Sequence, residues 1–175
     1  MDEGIPVLNV GNVWPEGLRL DQLNYVTGEK VAQLHRYTVA TNDLLFARSG
    51  ATLGKVCLVP ERCNGWLMTA HLFRTRFDAL HCMPEYAFAA FRAARQVRDQ
   101  VFDQVRGGTR PGFNTTLLSN VKIPLPALDE QRTIVDELSK LQAKVDRLKM
   151  LHSQTEAELD ALLPSILDRA FKGEL

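Results

Sequence analysis

Between Asp129 and Leu163 the chain reads DEQRTIVDELSKLQAKVDRLKMLHSQTEAELDALL, a run free of glycine and proline. Within it Ile134, Leu138, Leu141, Val145, Leu148, His152, Thr155, Leu159 and Leu162 alternate at spacings of four and three. A repeat averaging 3.5 residues keeps one stripe of a helix turned toward a partner, which is the pattern of a coiled-coil seam. The run predicts one helix of roughly 50 Å at about 1.5 Å per residue, dimerising through that stripe. Asp129 stands where a carboxylate can cap the first unpaired backbone N–H groups. Pro164 should kink or end the helix, with Ile166 to Phe171 adding a final turn or two.

Upstream, the period changes twice. From Pro84, a suitable first-turn residue, Ala87, Ala90, Phe91, Ala94, Val97, Val101 and Val105 recur every three or four positions. This predicts a second helix over 84–105, stopped at Gly107-Gly108. A loop through Thr109-Arg110-Pro111-Gly112-Phe113-Asn114 and a short strand over Val121 to Leu125 should follow. Pro124-Leu-Pro126 then closes the segment stiffly. Before Leu80 the apolar runs are short and broken by turn residues. Ile5 to Val10, Asp43 to Arg48, Lys55 to Val59 and Leu72 to Phe77 read as strands, and Gly50 to Gly54 as a turn. The fold class expected is therefore α/β (α+β) over 1–127, followed by a long coiled-coil helix over 128–175.

Composition narrows the function classes. Apolar residues make up 45% of the 175 and charged residues 24%, the balance of a domain that buries a core. No run of about 18 apolar residues occurs, so no membrane span is expected. The start, Met-Asp-Glu-Gly-Ile-Pro, lacks a basic and apolar secretory signal. Cys57, Cys63 and Cys82 are odd in number and irregularly spaced, which favours reduced thiols in a cytoplasm over a disulfide framework. The formal net charge is zero but unevenly divided. Residues 1–128 carry 14 Lys and Arg against 11 Asp and Glu, and residues 129–175 carry 7 against 10. A mildly basic first part permits DNA binding without requiring it.

Catalytic patterns are weak. Cys57, Cys63, His71, His81 and Cys82 lack the paired short spacings with which a turn presents two metal ligands. Ser49 sits outside any G-x-S-x-G elbow, and no G-x-x-x-x-G-K-[ST] loop is present. Gly107-Gly108-Thr109 follows a helix where a nucleotide-binding turn follows a strand. Nothing in the sequence asks for a cofactor or a metal. What remains is polar and basic residues beside turns: Arg48, Ser49 and Gly50 after one strand, and Arg106, Thr109, Arg110, Asn114, Thr115 and Thr116 around the glycine pair. Arg and Asn can bond base edges in pairs, while Thr, Ser and free N–H groups suit phosphates. Ordinary solvated turns read the same way.

The order of three blocks carries more. Asp43-Leu-Leu-Phe-Ala-Arg-Ser-Gly-Ala-Thr-Leu-Gly-Lys-Val56 resembles a block found in the specificity subunits of type I restriction–modification systems. Ile123-Pro-Leu-Pro-Ala-Leu-Asp-Glu-Gln-Arg-Thr-Ile-Val135 is similar to the junction that follows it there, and Ala170-Phe-Lys-Gly-Glu-Leu175 resembles that family's ending. The resemblance implies an α/β target-recognition domain that reads one half of a bipartite DNA site, joined to a helix that pairs antiparallel with a second one. It implies a non-catalytic subunit, with double-stranded DNA, methyltransferase subunits and in some complexes a restriction or translocase subunit as partners. With DNA as the partner, the polar and basic residues beside the turns become the expected contacts: Arg48, Ser49, Gly50, Lys55, Arg106, Thr109, Arg110, Asn114 and Thr115; the resemblance does not say which of them read bases. A full subunit of that family has two such domains and two helices, so this chain corresponds to a half-subunit or a fragment. Asn42 stands where the family commonly has glycine. Two other readings stay open: a protein-binding module on the same coiled coil, and a small hydrolase using Ser49 or a cysteine.

Overall fold

The computed structural model describes residues 4–14, 16–48, 54–103 and 114–173. Two compact units follow each other along the chain, residues 1–132 and 133–175. The first contains strands β1 (Ile5–Leu8), β2 (Val13–Trp14), β3 (Gly17–Leu18) and β4 (Asn24–Val26), then helix α1 (Gly28–Gln33). Strands β5 (Leu44–Ala47), β6 (Val56–Leu58), β7 (Leu67–Met68) and β8 (Leu72–Thr75) come next. Helices α2 (Pro84–Ala93), α3 (Arg95–Asp103) and α4 (Thr115–Asn120) complete it, and α5 (Leu128–Phe171) begins in this unit.

β5 is the centre of an antiparallel sheet ordered β6-β5-β8. All four of its residues are buried, because both faces of the sheet are covered. On one face Leu45 packs with Leu8, Val13, Val39, Cys57, Val59, Cys63 and Leu72 in the main core. On the other, Phe46 meets Phe91 of α2 edge to face, with ring centroids 4.9 Å apart. Side chains alternate across a strand, so a run with no polar position marks a strand buried on both sides. A second sheet, ordered β4-β1-β7, pairs β1 antiparallel with β4 and parallel with β7. A small β2-β3 hairpin stands beside these.

Several expectations need correction. The helix predicted over 84–105 is two helices, α2 and α3, meeting at Ala94. Ala94 has φ −67° and ψ 114°; its N–H closes the last bond of α2, and its carbonyl accepts from Val97 and Arg98 at the start of α3. The turn lets Val97 bury completely and lets Gln100 reach Lys122, outweighing alanine's preference for helix. The Gly107-Gly108 stop lies outside the described residues. Val121 to Leu125 form no strand. The Gln100 carboxamide instead donates to the Lys122 carbonyl at 2.8 Å and accepts from its N–H at 2.9 Å, doing for one residue what a neighbouring strand would do. Asn114 opens a short helix, α4, where a loop was expected. β1 ends at Leu8, and Val10–Asn12 turns as a 3-10 helix.

α5 runs from Leu128 to Phe171 with Pro164 inside it, so the proline neither ends nor shortens the helix. Asp129 lies within the first turn, beyond the capping position. Glu130 and Gln131 N–H groups bond the Ala127 carbonyl, which marks Ala127 as the residue at the helix boundary. Asp129 and Glu130 still oppose the positive end of the helix dipole.

Candidate nucleic-acid interface

Arg48 and Lys55 flank residues 49–53 in the chain, and the β5–β6 ladder brings them to one end of the central sheet. The Ala47 N–H donates to the Lys55 carbonyl at 2.9 Å, and the Gly54 N–H donates back to the Ala47 carbonyl at 3.2 Å. Arg48 follows Phe46 by two residues and so shares the α2 face, with its guanidinium carbon 5.3 Å from the Phe73 ring centroid. Lys55 lies on the main-core face, where its ammonium is 3.9 Å from the Trp14 ring centroid. The Arg19 guanidinium carbon is 3.5 Å from that same centroid. These three cations rest on aromatic rings, as Arg36 does on Tyr37 and Arg92 on Phe88, and none of the three forms an ion pair with a carboxylate among the described residues.

At the opposite end of β5 the arrangement is closed. Asp43 is fully buried. Its carboxylate accepts a forked pair of hydrogen bonds from Arg76, at 2.7 and 2.9 Å, and one from the Ala40 N–H at 2.8 Å. Arg74 is 3.8 Å away and also donates to the Thr38 carbonyl. The Asp43 hydrogen bonds and charge raise the Arg76 pKa further above its ordinary value. Asn42, just before, holds φ at +68°. That left-handed conformation is the one in which glycine is free of strain and asparagine is tolerated, which accounts for the residue the resembling family prefers there.

Of the expected DNA contacts, Arg48 and Lys55 are described and lie at the same sheet end. Ser49, Gly50, Arg106, Thr109 and Arg110 lie outside the described residues. The Asn114 carboxamide oxygen accepts from the Leu117 N–H at 2.8 Å and caps α4, and the residue is exposed. Thr115 is exposed on the first turn of that helix. Trp14 and Arg19 were not among the expected residues; an aromatic and a basic residue in a turn-rich stretch give no sign that Lys55 will join them.

The thiols do not suit nucleophilic chemistry. Burial, with the neighbouring Cys63 adding to it, pushes Cys57 up to about 12, and burial also raises Cys63 and Cys82. A nucleophile needs the thiolate. Among the described residues no group of three or more His, Cys, Asp or Glu could hold a metal ion, and no helix is long and apolar enough to cross a membrane.

In the second unit the predicted seam is exposed in the single chain. Leu138, Leu141, Val145, Leu148, Leu159 and Leu162 all face solvent, with Leu148 65% exposed. His152 is ion-paired with Glu156 at 3.3 Å if protonated. The Thr155 hydroxyl donates to the Leu151 carbonyl at 3.0 Å and so is satisfied within its own helix.

Residues 2–159 match the family described as the type I restriction modification DNA specificity domain. The chain is 26% identical, over 179 aligned positions, to the EcoBI type I restriction enzyme specificity subunit of Escherichia coli, covering 99% of this chain and 36% of that protein. It is 26% identical over 138 positions to the putative MjaX specificity subunit of Methanocaldococcus jannaschii, covering 78% of this chain and 32% of the relative. The crystal structure of an HsdS subunit from Thermoanaerobacter tengcongensis superimposes with a TM-score of 0.70 at 20% identity, over 90% of this chain and 40% of that one. A structure described for complex assembly and conformational transition of the type I R-M system gives 0.73 at 20% identity, over 95% and 43%. The chain spans about a third of the length of its curated relatives, and the structural likeness bears on the fold.

Proposed function

The chain belongs to the type I restriction modification DNA specificity domain family, and from that premise we propose that it is a non-catalytic recognition half that reads one part of a bipartite duplex DNA site. The family match carries this reading, since it takes in the α/β unit and most of α5 together. Arg19, Arg48 and Lys55, seated on rings without carboxylate partners, support it, because they supply positive charge at one sheet end in a chain of zero net charge. In this reading Arg48 and Lys55 contact DNA, joined by Ser49, Gly50, Arg106, Thr109, Arg110, Asn114 and Thr115. Methyltransferase subunits close around the duplex, and a restriction subunit joins where the system has one. The α5 seam, Ile134 through Leu162, pairs with a second such helix and sets the spacing between two recognition halves.

Co-expression with the cognate methyltransferase, followed by mapping of methylated positions in duplex DNA, tests this. A bipartite methylated motif that depends on this chain is expected. Absence of methylation together with absence of salt-dependent duplex binding by the assembled proteins would overturn it.

A further inference from the structure

We infer that Trp14 seats a two-cation clamp for a DNA phosphate, with Arg19 and Lys55 as its contacting groups. The inference rests on the DNA reading above and adds Trp14 and Arg19 to it.

Each of the three side chains starts from backbone that is held in place. The Trp14 indole N–H donates to the Gly11 carbonyl at 2.8 Å, and Trp14 pairs with Gly17 across the β2-β3 hairpin. Arg19 is fixed on both backbone groups by the buried Asn12: its N–H donates to the Asn12 carbonyl at 2.9 Å, and its carbonyl accepts from the Asn12 carboxamide at 2.8 Å. Lys55 is tied to the end of the buried β5 through Ala47. Two cationic groups, one following β3 and one preceding β6, lie on one ring at 3.5 and 3.9 Å from its centroid. The two charges are therefore within about 7.4 Å of each other.

Two like charges at that distance repel, which works against the ring's attraction for each. Proteins commonly place a carboxylate at such a point. Here neither side chain has an ion-pair or hydrogen-bond partner among the described residues, so their N–H donors remain available. An anion with two acceptor oxygens relieves the repulsion and takes donors from both. A phosphodiester has that chemistry and recurs along each DNA strand. A guanidinium and an ammonium offer donors alone, and their seat on one ring fixes them for a charge more than for a base edge. The clamp therefore adds affinity and register without reading sequence.

The test uses the full chain in its methyltransferase complex. Arg19→Gln with Lys55→Gln should weaken binding of the cognate duplex and of an unrelated duplex by the same factor. The slope of log K against log salt should shrink by about 0.9, the share of one phosphate contact. The methylated sequence should stay the same. Trp14→Leu should act in the same direction with a smaller loss, because the cations remain and only their seat is gone. With this chain alone labelled with 5-fluorotryptophan in a Trp66→Phe background, Trp14 gives the complex its single fluorine signal, and that signal should shift on saturation with duplex DNA. A wild-type salt slope in the double variant, a changed methylation motif, or a silent Trp14 would overturn the clamp while leaving the DNA reading intact. A wild-type complex with no salt-dependent duplex binding would remove both.

Discussion

The side-chain carbonyl of Gln131 accepts from the backbone N–H of Met83 at 2.8 Å, across 48 residues of sequence. Its amide nitrogen donates to the His81 and Pro126 carbonyls at 2.9 and 2.8 Å. Gln131 is fully buried, so one carboxamide fastens the first turn of α5 to the segment that leads into α2, inside the first unit. Gln131→Ala strands three part-buried backbone groups, each at roughly 1–3 kcal/mol where water cannot replace the partner. A loss of about 3 kcal/mol is expected in denaturant unfolding. Gln131→Glu should be at least as harmful, because a carboxylate cannot donate to two carbonyls. A variant within about 0.5 kcal/mol of wild type would show that the clamp contributes little.

Asp43 makes the corresponding prediction for the central sheet. Asp43→Asn removes the charge that Arg76 and Arg74 face and halves the acceptors of the fork. Breaking a buried pair from one side costs on the order of 3 kcal/mol, less here because Arg76 is 60% exposed and can turn to solvent. The neighbouring Asn42 separates backbone strain from charge. Asn42→Gly should stay within about 1 kcal/mol of wild type, and Asn42→Val should lose about 1–2 kcal/mol through its left-handed φ. Equal stability of the glycine and valine variants would contradict this.

Cys57 sets an alkaline limit. In the unfolded chain its thiol loses a proton near its ordinary value of 9.0, whereas the native thiol holds it up to about 12. Over that window the unfolded state binds fewer protons, so stability falls as pH rises, by at most about 1.4 kcal/mol per pH unit from this group. Below pH 9 the stabilisation is complete. Native protein should resist alkylation at Cys57 at pH 8 and become reactive only on unfolding, as mass spectrometry of the labelled peptide would reveal. Rapid native labelling would contradict the burial.

The α5 seam predicts self-association or pairing with a second recognition half. Light scattering of this chain should report a dimer, and Leu141→Asp with Leu148→Asp should give monomers, since both leucines lie in the exposed apolar stripe. A monomeric wild-type chain at tens of micromolar would argue against pairing of two copies.

The long helix and the four principal strands were legible because each rests on a local period: 3.5 for the seam, and short apolar runs for β1, β5, β6 and β8. Ala94 was not, since alanine favours helix on its own and the turn there answers to tertiary contacts, the burial of Val97 and the reach of Gln100 to Lys122. The missing strand at Val121 to Leu125 has the same origin: its backbone partner is the Gln100 side chain, which no local pattern announces. A glutamine in the first turn of an amphipathic helix reads as surface. Only the place of Gln131 in the block from Ile123 to Val135 hinted at more. For the interface, Arg48 and Lys55 were visible beside their turn. The seat that gathers Lys55 and Arg19 needs the folded hairpin and so could not be read in advance.

The double-sided burial of β5 also divides the chain by timescale. Amide protons at Leu44 to Ala47 sit in a ladder shielded on both faces, so their exchange with deuterium should wait for opening of the whole unit. Between 138 and 162 the amides of α5 are equally hydrogen-bonded, yet the surrounding side chains are exposed. A helix of that kind, left alone, frays and closes on its own, and its protons leave early. Deuterium uptake along α5 is therefore a direct gauge of whether the seam is occupied, readable residue by residue without knowing the partner.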